Sequence, residues 1–366
     1  MPETTPPDDG SRARIDVHHH FCAPQWLEWA ERQGLVNPKA LPPWARWDAA
    51  SALDVMDRAG IATAVLKPML PARYETSAQL REATTVTLRA ATEVVSAHPG
   101  RFAFHVPLFL DDPEVASWAL RHGLDELGAV GVNVTANYGG VYLGDPSYDP
   151  LFAELDERSA VVDTHPHNLP GGAPGGPGGA GGPGGAGGPG GAANVPGIPN
   201  FLCDFLLDTT RAAVNMIHKR TLDRFPNLSV ILPHAGGFLP HIATRVEAFA
   251  GAFSPPVDPA MVRDHMRRFH YDTAGPMSPA GTLLATVPPS QLLFGSDWPA
   301  CPSAMVTDIA LPALAADPAL TPAHHRAINR DNALRLMPGL SAPSAEAAPA
   351  QPSPARGHLP AVAGGV

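Results

Sequence analysis

The chain has 366 residues, 44% of them hydrophobic, and carries 25 Lys+Arg against 35 Asp+Glu for a formal net charge of -10. That hydrophobic share supports a full core, and the length accommodates one large domain or two average ones. The acidic balance argues against a nucleic-acid or anionic-membrane surface, since neither phosphate nor acidic lipid attracts it, and leaves a small molecule as the natural partner.

Taken in chain order, residues 1–12 are polar and Pro-rich, lack the apolar core of a signal sequence, and are expected to be disordered. A first strand is expected over Arg14 to His20 and a second over Ile61 to Lys67. Further strands follow at Phe102 to Leu108, Val130 to Asn137, Ala160 to His165, Leu228 to His234, Phe269 to Thr273 and Leu292 to Ser296. Most gaps carry a helical pattern, as at Ser51–Arg58, Pro150–Arg158 and Asp208–Ile217, and Gly60, Gly100 and Gly128 stand just past helices. Eight strands alternating with helices predict an α/β protein, a (β/α)8 TIM barrel over residues 13–339. An open doubly wound sheet is the runner-up, but it would bring a Gly-rich phosphate turn after the first strand, where this chain has histidines.

Residues 171–193 contain only Gly, Pro and Ala. They offer no apolar face and are expected to form a flexible insertion leaving the mouth after the fifth strand, either a tolerated low-complexity tract or a lid. The tail at 340–366 is mostly Ala, Pro, Ser and Gly and is expected to be disordered. Cys22, Cys203 and Cys301 are few, odd in number and widely spaced, which fits a reducing compartment. With no apolar run long enough to span a bilayer, the expected location is cytoplasmic.

A barrel places its chemistry at the C-terminal ends of its strands. Those ends carry His18 and His20, Lys67, Asn137 and Tyr138, His165, His234, Asp272 and Asp297. Residues two apart on a strand share a face, so His18 and His20 point together, and His19 faces the other way, into packing or support. Four histidines and an aspartate gathered at strand ends are the donor set of a divalent metal with a position left for water or substrate. The reading assigns His18, His20, His165 and Asp297 to the metal and His234 to proton transfer, because imidazole titrates near neutrality. Lys67 and Arg46 are candidates to pair with a substrate carboxylate, Trp44, Trp47 and Tyr138 to line an aromatic pocket, and His167 to act on the substrate side.

These residues, in this order, resemble the amidohydrolase superfamily, specifically the amidohydrolase-related branch that holds aminocarboxymuconate semialdehyde decarboxylase and the salicylate-type decarboxylases, 6-methylsalicylate decarboxylase among them. The resemblance spans Arg14 to about Pro338 and rests on Asp16-Val-His-His-His-Phe21, Asn137-Tyr-Gly-Gly-Val-Tyr-Leu-Gly-Asp145, Val162-Asp-Thr-His-Pro166, Leu222-Asp-Arg-Phe-Pro226, His234-Ala-Gly-Gly237 and Phe294-Gly-Ser-Asp-Trp-Pro299. It implies a TIM barrel of the metal-dependent hydrolase type and a divalent ion, zinc with manganese as the alternative, on His18, His20, His165 and Asp297. It also implies His234 as acid/base, Asp297 as a second candidate proton donor, and a homodimer. The implied activity is non-oxidative decarboxylation of a small aromatic or unsaturated carboxylic acid such as a salicylate-type hydroxybenzoate. Hydrolysis of a lactone, ester or amide at the same site is the alternative, and a non-catalytic binding barrel a third reading. The Gly/Pro/Ala tract and Lys67 depart from the family pattern.

Overall fold

The computed structural model describes residues 9–170, 198–275 and 280–340. The Gly/Pro/Ala tract at 171–193, residues 1–8 and residues 341–366 lie outside them. All eight expected strands are present: β1 Arg14–Phe21, β2 Ile61–Pro68, β3 Phe102–Pro107, β4 Gly131–Thr135, β5 Val161–His165, β6 Ser229–Leu232, β7 His270–Asp272 and β8 Leu292–Leu293. They pair in parallel in that order.

The ring is completed just past β8. Val17 N donates to Phe294 O at 2.9 Å, Asp297 N to His18 O at 2.9 Å and His20 N to Trp298 O at 2.7 Å. A Cβ on Gly295 would fall 2.9 Å from the His18 Cβ, so only glycine lets this segment approach β1. The chain between strands is helical, as expected from its periodicity. Asp48 caps the helix Ala49–Ala59 by accepting from Ser51 N, and Gly60, at φ 66°, closes it in the left-handed conformation that glycine adopts without cost.

The floor of the barrel is apolar, built from Ile15, Val17, Val65, Val161, Ile231 and Leu293 and plugged by Ala333, Met337 and Leu340. Two expected boundaries shift. Leu340 belongs to this plug, and residues 9–12 are docked rather than free of the fold, with Asn329 Nδ2 donating to Asp9 O at 2.9 Å. The expected fourth strand also splits. It ends at Thr135, and Asn137–Tyr138 instead pairs antiparallel with Val141–Tyr142 in a small hairpin.

The interior above the floor is polar. Lys67, His105 and Asp163 are all fully buried there, with Lys67 Nζ 2.9 Å and His105 Nδ1 3.3 Å from Asp163 Oδ2. A buried ammonium keeps its charge only when paired, and Lys67 also donates to Thr164 O at 3.2 Å. Lys67 therefore lies across the barrel beneath the strand ends, not toward substrate as expected from the sequence. This polar layer is what the site rests on.

Candidate metal centre and active site

At the mouth, β1, β5, β6 and the segment after β8 bring five side chains together. His18 and His20 share a face, their Nε2 atoms 3.3 Å apart. Asp297 Oδ1 lies 3.3 Å from His18 Nε2 and 3.0 Å from His20 Nε2. The His165 ring stands 4.8 Å from that of His20 and 5.4 Å from that of His18, centroid to centroid. His234 faces the other carboxylate oxygen, its Nε2 3.8 Å from Asp297 Oδ2. Asp297 thus divides the site, with one oxygen toward the His18/His20 pair and the other toward His234.

Each member is held in a defined state. His18 Nδ1 donates to Asp272 Oδ2 at 2.8 Å and His165 Nδ1 to Pro166 O at 2.8 Å, which leaves a lone pair on Nε2 of both. Burial pushes His20 down to about 4 and His165 well below the ordinary histidine value, so both are neutral donors near pH 7. Burial and Lys67 act the same way on His18, but Asp272 and Asp297 outweigh them and hold it above its usual value. Burial alone would raise Asp297, yet the hydrogen bond of His20 and the nearby His234 and His18 keep it well below the carboxylate range. Asp297 is accordingly ionised, with 18% of its side chain exposed to the cavity.

The donor chemistry fits a divalent cation. His18 Nε2, His20 Nε2 and Asp297 Oδ1 converge within 3.3 Å of one another, an arrangement of lone pairs and negative charge that repels itself unless a cation or protons stand between them. Asp16, Asp163 and Asp272 are fully buried around the site and Asp297 partly so, against the single buried ammonium of Lys67 among the described residues. Negative charge is in excess. Ligand atoms of His18, His165, His234 and Asp297 also lie within 4.8 Å of one another, so by proximity alone His234 competes with His20 for a place on the ion. His20 contacts the same Asp297 oxygen as His18, whereas His234 addresses the other.

Asp272 was visible in the sequence as a strand-end residue without a role, and the structure supplies one. While Oδ2 holds His18, Oδ1 accepts from His234 N at 2.8 Å and from Ala274 N at 3.0 Å. His234 and Asp297 both adopt positive φ, 53° and 62°, in the left-handed region that side chains other than glycine seldom occupy. Their backbones are pinned there by Asp272 and by the His18 carbonyl, respectively. His19 behaves as expected of an outward residue: Nδ1 donates to Asp16 Oδ2 at 3.1 Å and the ring packs 4.9 Å from that of Trp298.

Above the donors opens a cavity of about 900 Å3, with His20, His165, His234 and Asp297 in its lining. Trp44 and His167 are among its lining residues. Four other candidates are not. Lys67 is below the site, as described. Arg46 is exposed beyond the short turn Pro43–Ala45. Trp47 is buried in the core against Phe21 and Phe102, at centroid distances of 4.8 and 6.1 Å. Tyr138 turns inward, its hydroxyl donating to Leu108 O at 2.6 Å and accepting from Thr135 N at 3.0 Å, a job that ties strand ends together. Met69, Phe205, Leu206, Phe238, Leu283 and Met305 also line the cavity, and no sequence signal marks them for it. Nothing distinguishes them from core residues until the strands are closed.

The family model described as Amidohydrolase matches residues 15–338. Decarboxylase yanB of Aspergillus niger is 28% identical over 347 residues, covering 90% of this chain and 89% of that protein. The 6-methylsalicylic acid decarboxylase acuB of Aspergillus aculeatus is 28% identical over 306 residues, covering 79% of this chain and 85% of its own. A dihydroxybenzoic acid decarboxylase from Polaromonas sp. JS666, solved with bound manganese and the inhibitor 2-nitroresorcinol, has the same fold, with a TM-score of 0.68 at 21% identity over 89% of this chain and 97% of that one. Among the described residues no helix is long and apolar enough to cross a membrane.

Proposed function

The chain belongs to the amidohydrolase family, and from that premise we propose that it is a metal-dependent, non-oxidative decarboxylase that releases CO2 from a salicylate-type hydroxybenzoate. The observation that carries this reading is the convergence of His18, His20, His165 and Asp297 on one side and His234 on the other, at the base of a largely apolar cavity. The names of the relatives support the choice of decarboxylation over hydrolysis. The same fold and donors serve several reactions, so the geometry alone does not select one.

His18, His20, His165 and Asp297 would hold the metal, zinc or, as in the Polaromonas enzyme, manganese. When bound, the ion supplies positive charge that orients the carboxylate and its neighbouring hydroxyl oxygen and offsets charge developing on the ring. The protein supplies the rest. Trp44, Met69 and Phe238 border the space in which the ring sits away from water. His234 Nε2, facing Asp297 Oδ2 at 3.8 Å and bordering the cavity, is the atom positioned to deliver the proton. The proton goes to the ring carbon that bears the carboxylate. The bond from that carbon to the carboxylate then breaks, its electron pair returns to the ring, and CO2 leaves.

Purified protein loaded with zinc or manganese is tested with 6-methylsalicylate and 2,6-dihydroxybenzoate, with CO2 and the phenol product measured together. Stoichiometric formation of both is the expected result. Turnover of a lactone with uptake of water and no CO2 from either acid would replace this reading by the hydrolase one. The homodimer belongs to the same proposal and is checked by light scattering; a cytoplasmic setting follows from the acidic, cysteine-poor composition.

A further inference from the structure

Away from the donors the cavity changes character. Much of its wall is Met69, Phe205, Leu206, Phe238, Leu283 and Met305. All of these except Leu283 are only partly covered by the protein itself. Large apolar side chains left half-covered inside a cavity recover their contacts only when an apolar surface fills the space.

The lining contains no lysine or arginine among the described residues. Both cationic candidates lie elsewhere, Lys67 on Asp163 beneath the site and Arg46 exposed outside it. A second anionic group on the substrate would lose its water with no lysine or arginine in the described lining to receive it, which is a heavy penalty. At about 900 Å3 the space is near the upper end of the range of small-molecule sites, and far larger than a benzoate ring with a one-carbon substituent requires.

We infer that the substrate is a monoanionic salicylate-type acid whose ring carries an apolar substituent substantially larger than methyl, such as an alkyl chain of several carbons. This rests on the decarboxylase reading and narrows its substrate class. The carboxylate end is committed to the histidine and aspartate cluster, and the uncharged Asn168 borders the same space. The six apolar side chains then cover the substituent.

The test is a series of 6-alkylsalicylates, methyl, propyl, pentyl and heptyl, assayed for CO2 with the metal-loaded full chain. A ring bearing a second carboxylate serves as the contrasting substrate. Burial of each methylene is worth roughly fourfold in kcat/KM, so pentyl should exceed methyl by about two orders of magnitude, with a plateau once the cavity is full. A flat or falling series, or preference for the dicarboxylate, overturns the inference and leaves the decarboxylase reading intact. Met305→Trp, which narrows the cavity, should lower pentyl turnover at least tenfold more than methyl turnover; equal losses on both would count against the pocket. If no member releases CO2, the decarboxylase reading has failed, and calorimetry with the 3-alkylphenols decides the pocket separately. Affinity that climbs with chain length supports it, and affinity independent of chain length overturns it.

Discussion

Lys67→Met separates two roles for one ammonium. If Lys67 met the substrate carboxylate, its loss would raise KM and leave the fold alone. The structure places it instead at 0% exposure, 2.9 Å from the equally buried Asp163 carboxylate and 3.5 Å from His18 Nδ1. Removing one partner of a buried pair leaves the other charge desolvated and uncompensated, at a cost of about 3–5 kcal/mol. With an unfolding entropy of about 2.1 cal/mol/K per residue over roughly 300 described residues, that corresponds to a fall in Tm of about 5–8 °C. The sign for metal binding is the opposite. Lys67 repels a cation near His18, so its removal should leave metal affinity equal or tighter. The assay is urea or thermal unfolding of Lys67→Met, Asp163→Asn and the double variant, with metal titration and steady-state kinetics on each. The double variant should recover at least half of the stability lost in Lys67→Met, because the orphaned carboxylate is gone. A stability change under about 1 kcal/mol together with a KM raised a hundredfold would refute the placement argued here.

His165→Ala and Asp297→Ala each remove a donor, and both should abolish CO2 release while lowering metal content below stoichiometric on elemental analysis. His234→Ala should retain the metal and lose roughly a hundredfold to ten-thousandfold in kcat, the usual contribution of a positioned acid/base; metal loss of the same extent as in His165→Ala would instead put His234 on the ion. Asp208 gives a pH test. Its buried carboxylate accepts from Asn137 Nδ2 and His167 N, and burial raises it to about 6 from an unfolded value of 3.8. The folded state therefore binds more protons than the unfolded between these values, so this residue's contribution to stability is largest below about pH 4 and declines as pH rises to about 6, by about 3 kcal/mol. The difference in unfolding free energy between wild type and Asp208→Asn should change over that window and be constant above pH 7. A difference that is the same at pH 4 and pH 7 would contradict the assignment.

The architecture was legible because each strand is a short β-branched or aromatic run and each helix carries its own period and stop, so local preference and tertiary role agree. The candidate donors at the mouth were legible for a related reason. Strand parity puts His18 beside His20 without any knowledge of the rest of the fold. Parity fails one step earlier on the same strand. Simple alternation would set Asp16 on the face of His18, but a register shift between Asp16 and His19 inserts an extra residue, and Asp16 instead pairs with His19 and with Ser296, whose hydroxyl donates to it at 2.5 Å.

What the sequence does not reveal is where a long side chain goes after it leaves its strand. His20 and Lys67 are register partners on β1 and β2, so Lys67 stands at the level expected of a residue at the mouth. Its ammonium descends to the buried Asp163 on β5, three strands round the barrel. The direction of one side chain is thus decided by a carboxylate remote in the chain, and no local pattern records that pairing. The same holds for His234 and Asp297. Their left-handed backbones are tolerated because Asp272 and the His18 carbonyl hold their amides, and these same contacts aim both side chains into the site. Strain at these two positions is therefore a product of barrel closure, and it arises only once β1, β7 and the segment after β8 are together.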